Sequence, residues 1–184
     1  DKILRINEKV LGDSGLYVLA QSPQVRTVTT LVLYKVQMSD EGVRALAESP
    51  HLKNLEALYL EHNFITDKGA EIISNSKTFS NLKILNLYHN QITDEGVTAI
   101  ANSNNLTQLA ELNLNYNQIK GPGAVALTHS KKLLKLHNIQ LGYNPIETSG
   151  KKAWNRFQLM EGFKELHRNN RLNQVGEGLI GDFG

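Results

Sequence analysis

A glycine recurs at a constant interval of 27 residues along most of this 184-residue chain. The series is Gly15, Gly42, Gly69, Gly96, Gly123 and Gly150. Self-similarity at a fixed period between about 20 and 50 residues indicates a solenoid, in which one small unit stacks on copies of itself. Each unit must therefore bury its apolar side chains against its neighbours, because it is too small to form a core alone.

Two columns of large apolar residues repeat at the same interval and lie two residues apart in every unit. Two residues is the side-chain period of a β-strand, so both columns face the same side of one short strand. The columns are Leu4, Leu31, Leu58, Leu85, Leu112, Ile139 and Ile6, Leu33, Leu60, Leu87, Leu114, Leu141. We expect parallel strands in one curved sheet, over residues 3–6, 31–33, 58–60, 85–87, 112–114 and 139–141.

An asparagine follows the second column by three residues in the later units, at Asn63, Asn90, Asn117 and Asn144. Its side chain has two N–H donors and an acceptor oxygen, so it can bond backbone groups where the chain leaves a strand and turns. Stacked units therefore predict an asparagine ladder. We expect no ladder in the first two units, where Lys9 and Val36 replace asparagine.

A short helix is predicted after each turn, on the convex side of the stack. Its start is indicated by a column of residues that favour the N-cap position, and Pro122 suits the first helical position. Its end is indicated by a serine column, which Pro23 and Pro50 follow in the first two units. The two columns are Asp13, Asp40, Asp67, Asp94, Gly121, Thr148 and Ser22, Ser49, Ser76, Ser103, Ser130.

The pattern L-x-x-L-x-L-x-x-N-x-I-x-D-x-G followed by a helix resembles a leucine-rich repeat, and the helical half resembles the ribonuclease-inhibitor-like subtype. The resemblance covers about residues 1–176. It implies an α/β solenoid with a parallel sheet on the concave face and short helices on the convex face. Ribonuclease inhibitors are rich in cysteine and have longer, alternating repeats, whereas this chain has no cysteine and a uniform repeat. Affinity for ribonucleases is therefore not implied.

One leucine-rich repeat domain is predicted over residues 1–184. It has six regular units to about 150, a degenerate capping unit over about 151–176 and a tail at 177–184, with a last, polar strand around residues 167–170. The chain begins at Asp1 in the middle of a unit, so we expect an excised fragment or a processed product. The absence of cysteine favours a reducing cytoplasm, including that of a host cell after secretion.

Strand residues outside the apolar columns point to the concave face, which carries five of the chain's six tyrosines. Tyrosine combines a large rigid area with a hydroxyl group and is enriched in protein-binding hot spots. The alternative is that these rings stack on one another and only shield the sheet. The predicted protein-binding residues are Arg5, Tyr34, Lys35, Tyr59, Glu61, His62, Asn86, Tyr88, His89, Asn113, Asn115, Tyr116, Gln140 and Tyr143.

His62 and His89 occupy one column and should be neighbours, with Glu61 close by, which could in principle form a metal site. Adjacent polar residues on a binding face are the competing interpretation, and the sequence offers no third ligand at a fixed spacing. Gly121-Pro122-Gly123 indicates a helix start, since the Lys-Ser/Thr of a phosphate loop does not follow it. We therefore predict no catalytic residue, metal or cofactor.

Residues 120–171, the basic end, contain ten Lys or Arg against Glu147, Glu161 and Glu165, a net charge of +7 in a chain whose net charge is +2. This charge could steer an acidic partner, or could only keep a solvated helix end soluble. Nucleic acid is not predicted as a partner, because the tyrosines lie mostly outside this segment. A membrane span is not predicted either, since no apolar run reaches 18 residues.

These features favour a non-enzymatic, monomeric module that binds another protein through its concave face. Uniform repeats without cysteine are similar to those of bacterial effector proteins, which implies a host protein as partner. A second reading is a regulator similar to the leucine-rich-repeat activator of the Ran GTPase, although no motif of that family maps onto this chain. A third reading is a targeting arm cut from a larger enzyme, such as a ubiquitin ligase.

Overall fold

A computed structural model of the chain describes the backbone of residues 2–172 and the side chains of residues 2–161. Within that range, six parallel strands pair in chain order, each with the equivalent residues of the next unit. The predicted strands are confirmed to within one residue at each end. They are β1 (Ile3–Asn7), β2 (Thr30–Tyr34), β3 (Ala57–Tyr59), β4 (Ile84–Asn86), β5 (Glu111–Asn113) and β6 (Asn138–Gln140).

One helix follows each strand, and successive helices pack side by side along the stack. The apolar columns of the strands and the buried stripes of the helices form one continuous core. Leu58 and Leu60 of the third unit, for example, are fully buried. The helices are α1 (Gly12–Gln21), α2 (Asp40–Ala47), α3 (Asp67–Asn75), α4 (Asp94–Ala101), α5 (Gly121–Thr128) and α6 (Thr148–Leu172), with a 3₁₀ helix at Pro23–Thr27.

The predicted asparagine ladder is present. Asn90 is 8% exposed, and its Oδ1 accepts from the backbone N–H of Ile65 in the preceding unit at 3.1 Å. Its Nδ2 donates to the carbonyls of Leu60, Leu87 and Tyr88. Asn63 and Asn117 make the equivalent bonds. Each asparagine thus closes a turn of its own unit and a turn of the unit before it.

The sequence indicated the aspartate column as the source of the N-caps, and this prediction is wrong. The caps lie one residue earlier, at Ser39, Thr66 and Thr93, whose side chains accept from a backbone N–H of the first turn. Each aspartate instead reaches into the next unit. Asp67 Oδ1 accepts from the N–H groups of Thr93 and Gly96 at 2.7 and 2.9 Å, and Oδ2 accepts from the Thr93 hydroxyl at 2.6 Å. A carboxylate is favourable there, because a helix N-terminus carries partial positive charge.

The aspartate ladder explains four of the six glycines in the 27-residue series, namely Gly42, Gly69, Gly96 and Gly123. A Cβ on Gly96 would lie 2.5 Å from Asp67 Oδ1 and 3.0 Å from Asp67 Cα, and a Cβ on Gly123 would meet Asp94 in the same way. The requirement is for close approach between units and not for a special backbone conformation. Any side chain at these glycines would push the carboxylate off the helix start.

A third ladder joins the other ends of the helices. The hydroxyl of Ser76 donates to the carbonyl of Ala47 at 2.9 Å, and that of Ser103 donates to the carbonyl of Ser74 at 2.6 Å. Both acceptors lie at the end of the helix in the preceding unit. The serine column therefore satisfies carbonyl groups that a helix C-terminus leaves without an intrahelical partner.

The last polar strand, predicted around residues 167–170, is not formed. Residues 148–172 form the single helix α6, and the predicted tail at 177–184 lies outside the described residues. Residues 149–172 include neither proline nor a β-branched residue and are rich in Lys, Arg and Leu, so helix propensity prevails over the weak apolar register. Among the described residues, no helix combines the length and apolar character needed to cross a membrane.

Candidate protein-interaction face

One equivalent residue in every unit adopts a left-handed backbone conformation, with φ between 51° and 57°, and Gln37 of the second unit does so as well, with φ of 61°. The equivalent residues are Glu8, Lys35, His62, His89, Tyr116 and Tyr143. The conformation costs about 1–2 kcal/mol in a residue other than glycine. The ladder asparagine holds it in the later units, since Asn90 follows His89 directly and bonds the carbonyls of Leu87 and Tyr88. The ladder therefore determines where the side chain of His89 is presented.

The left-handed residues of the later units and two strand-end tyrosines form a continuous row of rings, the aromatic row. His62 and His89 stack at 4.3 Å between ring centroids, and Tyr116 and Tyr143 stack at 4.1 Å. Tyr88 joins these pairs, with its ring 5.3 Å from that of His62 and 5.0 Å from that of Tyr116. The complete row is Tyr34, His62, Tyr88, His89, Tyr116 and Tyr143.

The other predicted binding residues lie on the same face, beside the aromatic row. Arg5 lies on β1 and Tyr59 on β3, and the ring of Tyr59 stacks with no other ring among the described residues. Three asparagines are already engaged: the Oδ1 of Asn86 and that of Asn113 accept from backbone N–H groups two residues later, and the Oδ1 of Asn115, after β5, accepts from the N–H of Gly142. The remaining predicted residues are Lys35 at the left-handed position of the second unit, Glu61 after β3 and Gln140 on β6.

Glu61 carries an incompletely bonded carboxylate in the middle of this face. Its Oε1 accepts from Asn86 Nδ2 at 2.7 Å, whereas its Oε2 is buried and has no hydrogen-bond partner among the described residues. Desolvation raises the pKa of Glu61, although a backbone hydrogen bond opposes the shift. The folded state therefore holds the proton of Glu61 to a higher pH than the unfolded chain does.

Glu61→Gln should raise the free energy of unfolding relative to the wild type, and by more at pH 7 than at pH 4. The raised pKa means that the wild type loses stability as pH rises from the ordinary glutamate value of 4.5 through the pKa of the folded state. Glutamine has no charge to bury. We expect a gain of at most about 1 kcal/mol, because Glu61 as a whole is only partly buried and solvent screens part of its charge.

Urea unfolding of wild type and Glu61→Gln at both pH values measures this difference, with the exposed Glu95→Gln as control. His62 has the opposite effect on stability: desolvation and the nearby His89 and Lys35 lower its pKa, so its contribution to stability is lost as pH falls. Both proteins contain His62, so this contribution cancels in the comparison. A gain equal at pH 4 and pH 7 would contradict the assignment of the effect to Glu61.

The predicted proximity of His62 and His89 is confirmed by their stacked rings. Within the described residues, no group of three or more His, Cys, Asp or Glu side chains is arranged to hold a metal ion. The described geometry thus supports aromatic contact at this pair, and the row as a whole offers ring edges, hydroxyl groups and imidazole nitrogens along one side of the sheet.

Comparison with known proteins gives a family and a fold. A family profile described as Leucine Rich repeat matches residues 51–74, 80–101 and 103–127. The crystal structure of an internalin from Listeria monocytogenes str. 4b F2365 is 23% identical with a TM-score of 0.50, over 72% of this chain and 34% of the internalin chain. The chain thus spans about a third of that internalin, and the likeness shows the fold alone. No curated protein matches the chain.

Solenoids of this kind are typical protein-binding scaffolds, because their repeats create extended concave surfaces. The profile matches fall on the third to fifth units, whose strands, ladders and helices repeat at the same 27-residue register. The six parallel strands, each followed by a helix, complete the architecture. The chain is a leucine-rich repeat protein.

Proposed function

We propose that this protein is a non-enzymatic module that binds a partner protein through its concave face, with the aromatic row at the centre of the contact. The observation that carries the proposal is the row itself, which crosses five successive units on one side of the sheet. Backbone held in the left-handed region at an energetic cost is common at ligand-binding positions. Here it is used in unit after unit to present an aromatic ring.

The competing role for the row is to shield the sheet from water. A shield would bury all its rings, but only Tyr34, His62 and Tyr88 are partly buried, whereas Tyr116 and Tyr143 are 38% and 75% exposed. His89 is exposed as well. Rings that stack on each other and still expose their edges lose little entropy on binding, because their rotamers are already restricted. A preorganised, exposed aromatic surface fits recognition better than shielding.

The test compares the wild type with the triple variant Tyr59→Ala, Tyr88→Ala and Tyr116→Ala. Proteins captured from a lysate are identified by quantitative mass spectrometry, and the affinity of each is then measured with purified components. We expect each substitution to weaken binding by about 1–3 kcal/mol, as at protein-binding hot spots. The stability cost should be smaller, about 0.2–1 kcal/mol per lost ring pair, and near zero for Tyr59, which stacks with no other ring among the described residues.

Lys68→Ala with Lys77→Ala provides the matched control, because both residues lie on the helical side of the stack and are exposed. The control should retain every partner of the wild type. A triple variant that melts normally and still retains every partner would overturn the proposal.

The partner in this proposal is a host protein and the module a bacterial effector, following the resemblance of the uniform, cysteine-free repeats. The ribonuclease-inhibitor-like subtype belongs to the same proposal. A catalytic domain elsewhere in the full-length gene would favour the targeting arm of an enzyme instead. An acidic tail after the repeats would favour the regulator of a GTPase.

A further inference from the structure

The chain departs from its repeat in the sixth unit, where α6 continues past the point at which the earlier helices end. Helices α1 to α5 have 8 to 10 residues, after which the chain bends towards the next strand, whereas α6 has 25. The bend that would cover Leu133 and Leu136 is therefore replaced by one face of a helix, with Phe157 and Met160. A groove of about 530 Å³ remains between the two. This volume lies within the range of about 300–1,000 Å³ that is usual for ligand clefts.

The groove is apolar at its floor. Leu133 and Leu136 are 4% and 6% exposed, whereas their equivalents one unit earlier, Leu106 and Leu109, are fully buried. Met160, on the opposite wall, is 51% exposed. The repeat leaves apolar surface accessible here that it seals in the preceding unit.

Leu134 at the rim breaks a column that is otherwise polar. The equivalent positions of the preceding units are Arg26, Lys53, Ser80 and Thr107. All four are polar, as expected for a position at the surface, but Leu134 is 82% exposed. Leu134 lines the groove together with Met160, which is also exposed, so the exposed apolar surface is clustered there, and clustered apolar surface marks interaction sites.

The surroundings of the groove are basic. Arg156 and His129 line it, together with one acidic residue, Glu161. Lys131, Lys132 and Lys152 are exposed and adjoin lining residues in the sequence. The whole basic end has a net charge of +7. Anything that enters the groove therefore approaches through a positive potential.

We infer that this groove binds an acidic segment of another protein, which inserts a large apolar side chain beside Leu134 and Met160 and pairs its carboxylates with Arg156 and the neighbouring lysines. A protein segment is favoured over an anionic membrane, because Leu133, Leu136 and Phe157 form a recess below the exposed side chain of Leu134, which a single inserted side chain can fill. The surface is separate from the concave face, so each can fail without the other.

The test is a selection of random 16-residue peptides displayed on phage against the intact wild-type protein. Binders retained by Leu134→Thr, which restores the residue type of Thr107, are removed by counter-selection. The remaining peptides should be enriched in Asp and Glu around one or two large apolar residues. Synthetic versions, followed by fluorescence anisotropy, should bind Leu134→Thr and Arg156→Gln at least ten-fold more weakly than wild type, and more weakly as salt is raised.

Leu159→Thr is the matched control, because Leu159 is 66% exposed on the same helix and does not line the groove. It should bind as the wild type does, and so should the concave-face triple variant. Selected peptides that are neutral or basic, or an empty selection, would overturn the inference. If the protein binds phosphatidylserine vesicles and Leu134→Thr abolishes that binding, the groove binds a membrane and the inference is wrong. If the protein sediments as a dimer and Leu134→Thr dissociates it, the groove binds a second copy and the inference is wrong too.

Discussion

Asn90→Leu should lower the free energy of unfolding by about 3 kcal/mol, which is a large effect for a substitution that keeps the branching and the number of heavy atoms of the side chain. The change leaves the buried N–H of Ile65 without its partner. The carbonyls of Leu60, Leu87 and Tyr88 each lose one of two donors, because they also accept from Asn63, Asn117 and the N–H of His62. An unsatisfied buried donor costs about 1–3 kcal/mol, and the three lost bonds add to that cost.

Urea unfolding followed by circular dichroism measures this loss, and Asn104→Leu is the control, because Asn104 is exposed in the same repeat unit. The control should change stability by less than about 0.5 kcal/mol. A loss of the same small size for Asn90→Leu would mean that the ladder is not needed for stability. We also expect weaker ring stacking at His89, since the same asparagine holds its left-handed backbone.

Gly96→Ala should destabilise the protein by about 2–3 kcal/mol, although glycine to alanine within a helix usually stabilises by about 1 kcal/mol. The sign is reversed because the new Cβ would lie 2.5 Å from Asp67 Oδ1 and 3.0 Å from Asp67 Cα. The carboxylate must then leave the helix start that it bonds in the next unit. Loss of those bonds adds to the steric cost.

A double-mutant cycle with Asp67→Ala separates the two causes. Without the carboxylate, Gly96→Ala should cost clearly less than it does in the wild type, which gives an interaction energy of about 1 kcal/mol or more. Glu95→Ala, an exposed neighbour in α4, controls for helix propensity. A stabilising Gly96→Ala would show that the glycine series has another origin.

The repeat itself was predictable, because apolar residues at a fixed interval allow only one register in which every leucine is buried. The role of the aspartates was not. Thr66 and Asp67 are both good capping residues, and only the distance between units decides that Thr66 caps α3 while Asp67 bonds the start of α4. The single helix over residues 148–172 was not predicted either. Helix propensity favoured a continuous helix there, whereas the imperfect match to the apolar columns favoured a further strand.

Some features of the candidate site were likewise predictable from the sequence and others were not. That His62 and His89 are neighbours follows from their register, and the structure confirms it. The left-handed backbone of this column carries no sequence signal, since glycine and asparagine, the usual residues for that region, do not occur in it. The buried, unpartnered oxygen of Glu61 depends on side-chain torsions and could not be read from the residue order.

The three ladders also determine which changes in chain length the architecture can absorb. The third and fourth units each carry the ladder asparagine, aspartate and serine, so equivalent points in these units are interchangeable. Duplicating or excising 27 residues between such points rejoins all three ladders at the seam, whereas a gain or loss of any other length leaves unmatched groups across it. Growth of this protein over evolution is therefore expected to be stepwise, one whole repeat at a time.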